Sequence, residues 1–147
     1  MFVRKIRFTN HAKGDVKAIR RYTQKNYGEQ GKLKYDLLIK QSLDDLGNDP
    51  YRIGSRERSD IDEGMRSYHT RHCRDRSGSG VKSPKHMVIY YLPNEDDLVV
   101  SRILHESRNV ERHIPEKHKE QAKQSLYKRP NISQSNNDME KDKGRSR

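Results

Sequence analysis

The spacing of apolar positions changes along this chain, and each change marks an element. In FVRKIRF, Phe2, Ile6 and Phe8 fall on one side and Val3, Lys5 and Arg7 on the other, the period of a strand. Its charge suits a strand near a sheet edge, where it discourages stray pairing. Thr9 or Asn10 can then cap a helix, whose apolar positions Val16, Ile19 and Tyr22 are followed by Tyr27 and the stop signal Gly28. A second helical pattern runs from near Glu29 to Leu46, with Leu33, Leu37, Leu38, Leu43 and Leu46 on its apolar stripe, and Gly47 to Pro50 close it. Only Gly28 and its neighbours separate the two helices, so they should fold back as an antiparallel hairpin and bury that stripe on a sheet.

Residues 51–63 are polar and without period, which predicts a loop. MRSYH, Met65 to His69, reads as the second strand, and Arg71 to Lys85, basic and interrupted by Gly, Ser and Pro, as a long hairpin loop. Met87 to Leu92 is the third strand, Pro93 and Asn94 turn the chain, and Leu98 to His105 is the fourth. Strict alternation puts Leu98, Val100, Arg102 and Leu104 on one face and Val99, Ser101, Ile103 and His105 on the other. Both faces are mostly apolar, which places this strand inside a sheet. Arg102 and His105 then need a polar partner or an outlet: the arginine stem is expected to pack with its head in water, the histidine to bond backbone. Asn109 can cap a short helical turn, and Glu116 to Tyr127 is a further amphipathic stretch. From Lys128 the chain has almost no aliphatic residue and cannot offset the entropy of ordering itself. The expected organisation is one α+β domain over residues 1–127, with a disordered polar tail over 128–147.

Composition narrows the function. The chain of 147 residues is 29% hydrophobic and 36% charged, and 32 Lys and Arg against 21 Asp and Glu give a formal charge of +11. That balance draws it toward nucleic acid, an acidic protein or an anionic surface. The single Cys73 offers no internal disulfide. The longest apolar run, Met87 to Leu92, is far short of the roughly 20 residues that span a bilayer. With no apolar core after the basic N-terminal residues, no signal peptide is expected, and the expected location is the cytoplasm.

The order strand, helix, helix, strand, strand, strand, short helix can now be set beside known families. The chain resembles the ParE branch of the RelE/ParE superfamily of toxins from bacterial toxin-antitoxin pairs. The likeness rests on DVKAIRRYTQKNYG, GMRSYH, HMVIYYL and above all SRILHESRNVERHIP, and spans about residues 2–116. It implies a helical hairpin packed on an antiparallel sheet, a cognate antitoxin bound as a hetero-oligomer, and DNA gyrase as the target. RelE-like relatives instead cut mRNA in the ribosome, which is the alternative reading.

Cleavage of RNA through its own 2′-hydroxyl needs a proton acceptor, a proton donor and cations on the phosphate. The residues that could supply them are Arg66, His86, Arg102 and His105. The set is incomplete beside RelE-like nucleases: His86 stands where many of them place an arginine, and no tyrosine follows the last strand before Tyr127. A binding inhibitor is therefore favoured over an enzyme, with Arg66, Tyr68, Arg102, His105 and Arg108 as contact residues for target or antitoxin. His69, His72, Cys73 and His86 lack metal-site spacing, so no metal or other cofactor is expected. Tyr90 and Tyr91 read as sheet residues rather than base-stacking platforms. Strands apolar on both faces under a single helical layer predict an exposed apolar face, to be covered by an antitoxin segment with Leu or Ile anchors and acidic residues.

Overall fold

The computed structural model describes residues 3–128, so the expected tail lies outside the described residues beyond its first position. The elements follow as β1 (Lys5–Phe8), α1 (Asn10–Asn48), β2 (Ser55–Glu57), β3 (Arg66–His69), β4 (His86–Tyr91), β5 (Asp97–His105), α2 (Val110–His113) and α3 (Glu116–Lys128). They build an α+β domain around a five-stranded sheet of order β1-β5-β4-β3-β2. The sheet is mixed rather than antiparallel, because β1 runs parallel to β5. A parallel neighbour needs a crossover. The whole of α1 and the strands after it supply one.

Thr9 starts α1 as expected: its side chain accepts from the Ala12 N–H at 3.0 Å, and its own hydroxyl donates to the Ser101 carbonyl of β5 at 2.8 Å. Gly28, at φ 78° and ψ −175°, breaks α1 into two arms. A side chain rarely tolerates that backbone, so glycine sets the reversal. The arms fold back on each other, since Arg20 meets Asp36 at 3.2 Å, where a straight helix would hold them about 24 Å apart.

The front of the sheet carries Tyr68, Val88, Tyr90, Leu98, Val100 and Ile103 against Ala12, Ile19, Ile39 and Leu46 of α1. The back carries Ile89, Tyr91 and Leu104 and is not exposed: residues Ile61 and Met65 together with Val110, Ile114 and Ala122 cover it. The expected single helical layer is thus corrected, because the stretch after β5 folds back as α2 and α3. Strict alternation along β5 is corrected as well. Ile89 pairs with Arg102 but Tyr90 with Val100, which leaves Ser101 as a bulge. The extra residue turns Ile103 to the front with Val100 and sends Leu104 to the back. Residues 51–63 are not all loop, since Ser55–Glu57 pairs with β3. Tyr90 and Tyr91 are 0% and 3% exposed, one in each core. None of the helices among the described residues is long and apolar enough to cross a membrane.

Candidate functional site

At the Gly28 bend the two arms of α1, the end of the basic loop and the joined ends of β4 and β5 enclose a cleft of about 880 Å³. Tyr22 and Tyr27 line it from the first arm, Lys34 and Tyr35 from the second, and Lys85 from the loop. The antiparallel register sets His86 opposite His105, so the first residue of β4 and the last of β5 reach the cleft together. Their rings stand edge to face at 5.4 Å.

Hydrogen bonds orient both imidazoles. The Lys85 backbone N–H donates to the Tyr35 hydroxyl oxygen at 3.2 Å, and the same hydroxyl bonds Nδ1 of His86. Burial pushes the Tyr35 phenol up, so it keeps its proton and can donate it to Nδ1 of a neutral His86. Burial, with the nearby His105 and His69, brings the His86 pKa down to about 4. Nδ1 of His105 accepts the Ser107 N–H at 3.1 Å, which leaves the proton of the neutral ring on Nε2.

Arg102, expected to send its head to water, is held instead. Its Nε and Nη2 donate to the two oxygens of Asp15 at 2.8 and 2.7 Å, and Nη1 donates to the His113 carbonyl at 2.8 Å. Asp15 also accepts the Ile103 N–H at 3.0 Å, so one carboxylate ties α1 to β5 beside the bulge. Arg108 sits on the cleft rim, where its Nη1 meets Nε2 of His113 at 3.1 Å. Nδ1 of that ring bonds the Asn109 carbonyl at 2.8 Å, which makes it a neutral acceptor and leaves the Arg108 charge uncompensated.

Of the residues singled out in the sequence, His86, Arg102, His105 and Arg108 meet in this cleft. Arg66 and Tyr68 do not. Arg66 pairs in register with Tyr90, toward the other end of β4, where its Nε donates to Ser55 Oγ at 2.9 Å and its guanidinium lies 5.0 Å from the Tyr51 ring. Tyr68 is 0% exposed and donates to Asp45 at 3.0 Å, so it belongs to the core and presents no contact surface. The conceivable metal quartet is dispersed among other partners: His69 on Glu106 at 2.8 Å, Cys73 on Ser42 at 3.1 Å, His86 on Tyr35. Among the described residues no three His, Cys, Asp or Glu are grouped to hold a metal ion.

Sequence reasoning missed Asp15, Lys34 and Tyr35. Each lies in a helix whose Leu and Ile stripe drew the attention, and polar residues off that stripe look like solvated surface. The one available signal was an unexplained strand arginine, Arg102, which called for a carboxylate from the covering helix.

A family model for the ParE toxin of the parDE type II toxin-antitoxin system matches residues 6–110. No curated protein matches the chain. The matched stretch runs from β1 through α1 and all five strands to the start of α2, so it contains the bend, the bulge and the cleft. This chain therefore belongs to the ParE toxin family of type II toxin-antitoxin systems.

Proposed function

We propose that the chain stops growth as a gyrase-binding toxin in the cytoplasm and is held inactive as a hetero-oligomer with an antitoxin made beside it. What supports binding over catalysis is Arg102, whose three guanidinium nitrogens each already donate to Asp15 or the His113 carbonyl, so that its charge is answered within the fold rather than held out for a scissile phosphate. Arg66, the other cation of the nuclease set, lies toward the opposite end of β4. With the back of the sheet already covered, an apolar surface open to an antitoxin lies on α1, where Leu33 and Leu37, one turn apart, are each 47% exposed. Leu or Ile anchors would fit there, and acidic residues would answer the charge of +11.

One observation favours the ribosome-dependent endonuclease as the rival: two imidazoles and a tyrosine share a cleft. The test is to add the protein to gyrase with relaxed plasmid, and separately to translating ribosomes with mRNA. Wild type is compared with His86→Ala, His105→Ala and Arg108→Ala. A binding inhibitor blocks supercoiling, and each substitution costs about 1–3 kcal/mol of contact energy. Codon-dependent mRNA cuts that drop by about 10²–10⁴-fold in a histidine variant, with gyrase unaffected, would replace the proposal by its rival.

A further inference from the structure

The cleft at the α1 bend collects more positive charge than its fold consumes. Its cations are Lys34, Lys85, Arg102 and Arg108, and its one lining carboxylate, Asp15, is spent on Arg102. Lys85 has a distant partner in Glu106 at 3.7 Å. Among the described residues Lys34 and Arg108 form no ion pair, and the only partner of the Arg108 guanidinium is the His113 ring. His105 adds a proton-bearing Nε2 atom, fixed by the Ser107 N–H that occupies its Nδ1, and the His86 ring lies beside it. Donors of this kind, arranged before any ligand arrives, suit an oxyanion.

The second feature is aromatic. Tyr22 and Tyr27 line the same cleft and are 60% and 68% exposed. Neither ring is needed by either core, and Tyr27 stands directly before the Gly28 reversal. Exposed rings beside unpaired cations match a ligand with both a planar face and a negative charge. We infer that the cleft binds a nucleotide of a single-stranded nucleic acid, its phosphate on Lys34, Arg108 and His105 and its base on Tyr22 or Tyr27. An acidic peptide would use the cations and leave the rings idle, and a duplex keeps its base faces stacked inside. The proposal goes beyond gyrase binding and requires no cleavage.

The experiment is fluorescence anisotropy of the full chain with a short labelled single-stranded DNA of mixed sequence, which lacks the 2′-hydroxyl and so separates binding from any ribonuclease action. Salt is varied, and inorganic phosphate, a mononucleotide, polyglutamate and duplex DNA are used as competitors. The expected result is salt-dependent binding in which Lys34→Ala and Arg108→Ala each lower the log–log salt slope by about 0.7. Tyr27→Ala is expected to weaken binding about tenfold at an unchanged slope, since stacking carries no charge. Arg56→Ala, an exposed arginine on the edge strand, should change neither. Competition by the mononucleotide at low concentration would assign a free nucleotide as an equally good source of the same phosphate. Three outcomes would overturn the inference: no binding, a slope that falls equally in Arg56→Ala, or displacement by polyglutamate with no loss in Tyr27→Ala.

Discussion

The two faces of the sheet are covered by unlike material. On the front, α1 sends Ala12, Ile19, Ile39 and Leu46 into one continuous apolar cluster, and buries the polar Thr23, Ser42 and Asp45 along the same helix. On the back, α3 contributes Ala122 at 1% and two polar residues, His118 at 7% and Ser125 at 9%. Directed contacts hold α3: His118 to Ser101 at 2.7 Å, Gln121 to Tyr91 at 2.7 Å, and Lys123 to Asp62 at 3.4 Å. Area buried by apolar groups stabilises roughly in proportion to its extent, whereas a hydrogen bond to a group that water could serve adds about 1 kcal/mol. The front should therefore open only with global unfolding, and the back should open locally.

The largest effect should come from the front core. Leu46→Ala removes a fully buried side chain from a wall of α1 and strands that cannot collapse, and should cost about 3–5 kcal/mol in urea denaturation. Ile114→Ala, 5% exposed on the back under α2 and α3, should cost about 2 kcal/mol because the light cover can settle into the gap. Equal losses would mean that both faces are packed alike.

Asp45 gives the front a pH dependence in the acid range. Burial alone would raise its pKa, but hydrogen bonds from Arg76, Gln41 and Tyr68 and the charge of Arg52 outweigh burial and hold it below the usual carboxylate range. A carboxyl depressed by folding contributes stability that is present above its unfolded pKa and lost as pH falls through the folded one. Asp45→Asn should cost about 1–3 kcal/mol at pH 7, less than a fully buried pair because Arg76 can rehydrate. The cost should shrink as pH falls below the carboxylate range, which urea midpoints taken across an acid series would show. A loss that stays constant with pH would mean that packing, not charge, is what Asp45 supplies.

The same contrast explains what was legible beforehand. The front was readable because its residues follow simple periods: the Gly28 break, the run from Met87 to Leu92 and the end of the Leu stripe at Leu43 and Leu46, although Leu33 and Leu37 of that stripe stay 47% exposed instead of reaching the sheet. The back was not, because α3 is polar and its docking depends on single contacts such as His118 on Ser101, which no periodicity announces. The bulge at Ser101 was equally silent, since LVVSRIL alternates well enough as written and only the pairing with β4 reveals the extra residue. Of the candidate site, His105 was singled out as a strand-end residue and His86 by comparison with RelE-like nucleases. The Asp15 clamp on Arg102 needed the fold, being a contact between residues 87 positions apart.

Gly64 lets the back face be loosened on its own. Its φ is +87°, and a Cβ there would stand 2.7 Å from the Ala122 carbonyl oxygen in α3. Gly64→Ala combines a strained backbone worth about 1–2 kcal/mol with a collision that α3 can escape by lifting off. Hydrogen exchange should show faster amides in α3 with those of α1 unchanged. Acceleration in both would show that the faces unfold as one unit.

The smallest effect should come from truncation after Tyr127. The residues removed, Lys128 to Arg147, include Ile132 and Met139 as their only large aliphatic side chains among Asn, Ser, Gln, Lys, Arg, Asp and Glu. Such a segment cannot bury enough apolar area to repay the entropy of ordering its backbone. Thermal melting of the shortened chain should match the full chain within error, and the urea m-value should not change, because m follows the surface exposed on unfolding. A drop in both quantities would mean that the tail docks. The contrast between the two faces would then need to be redrawn with the tail as part of the cover.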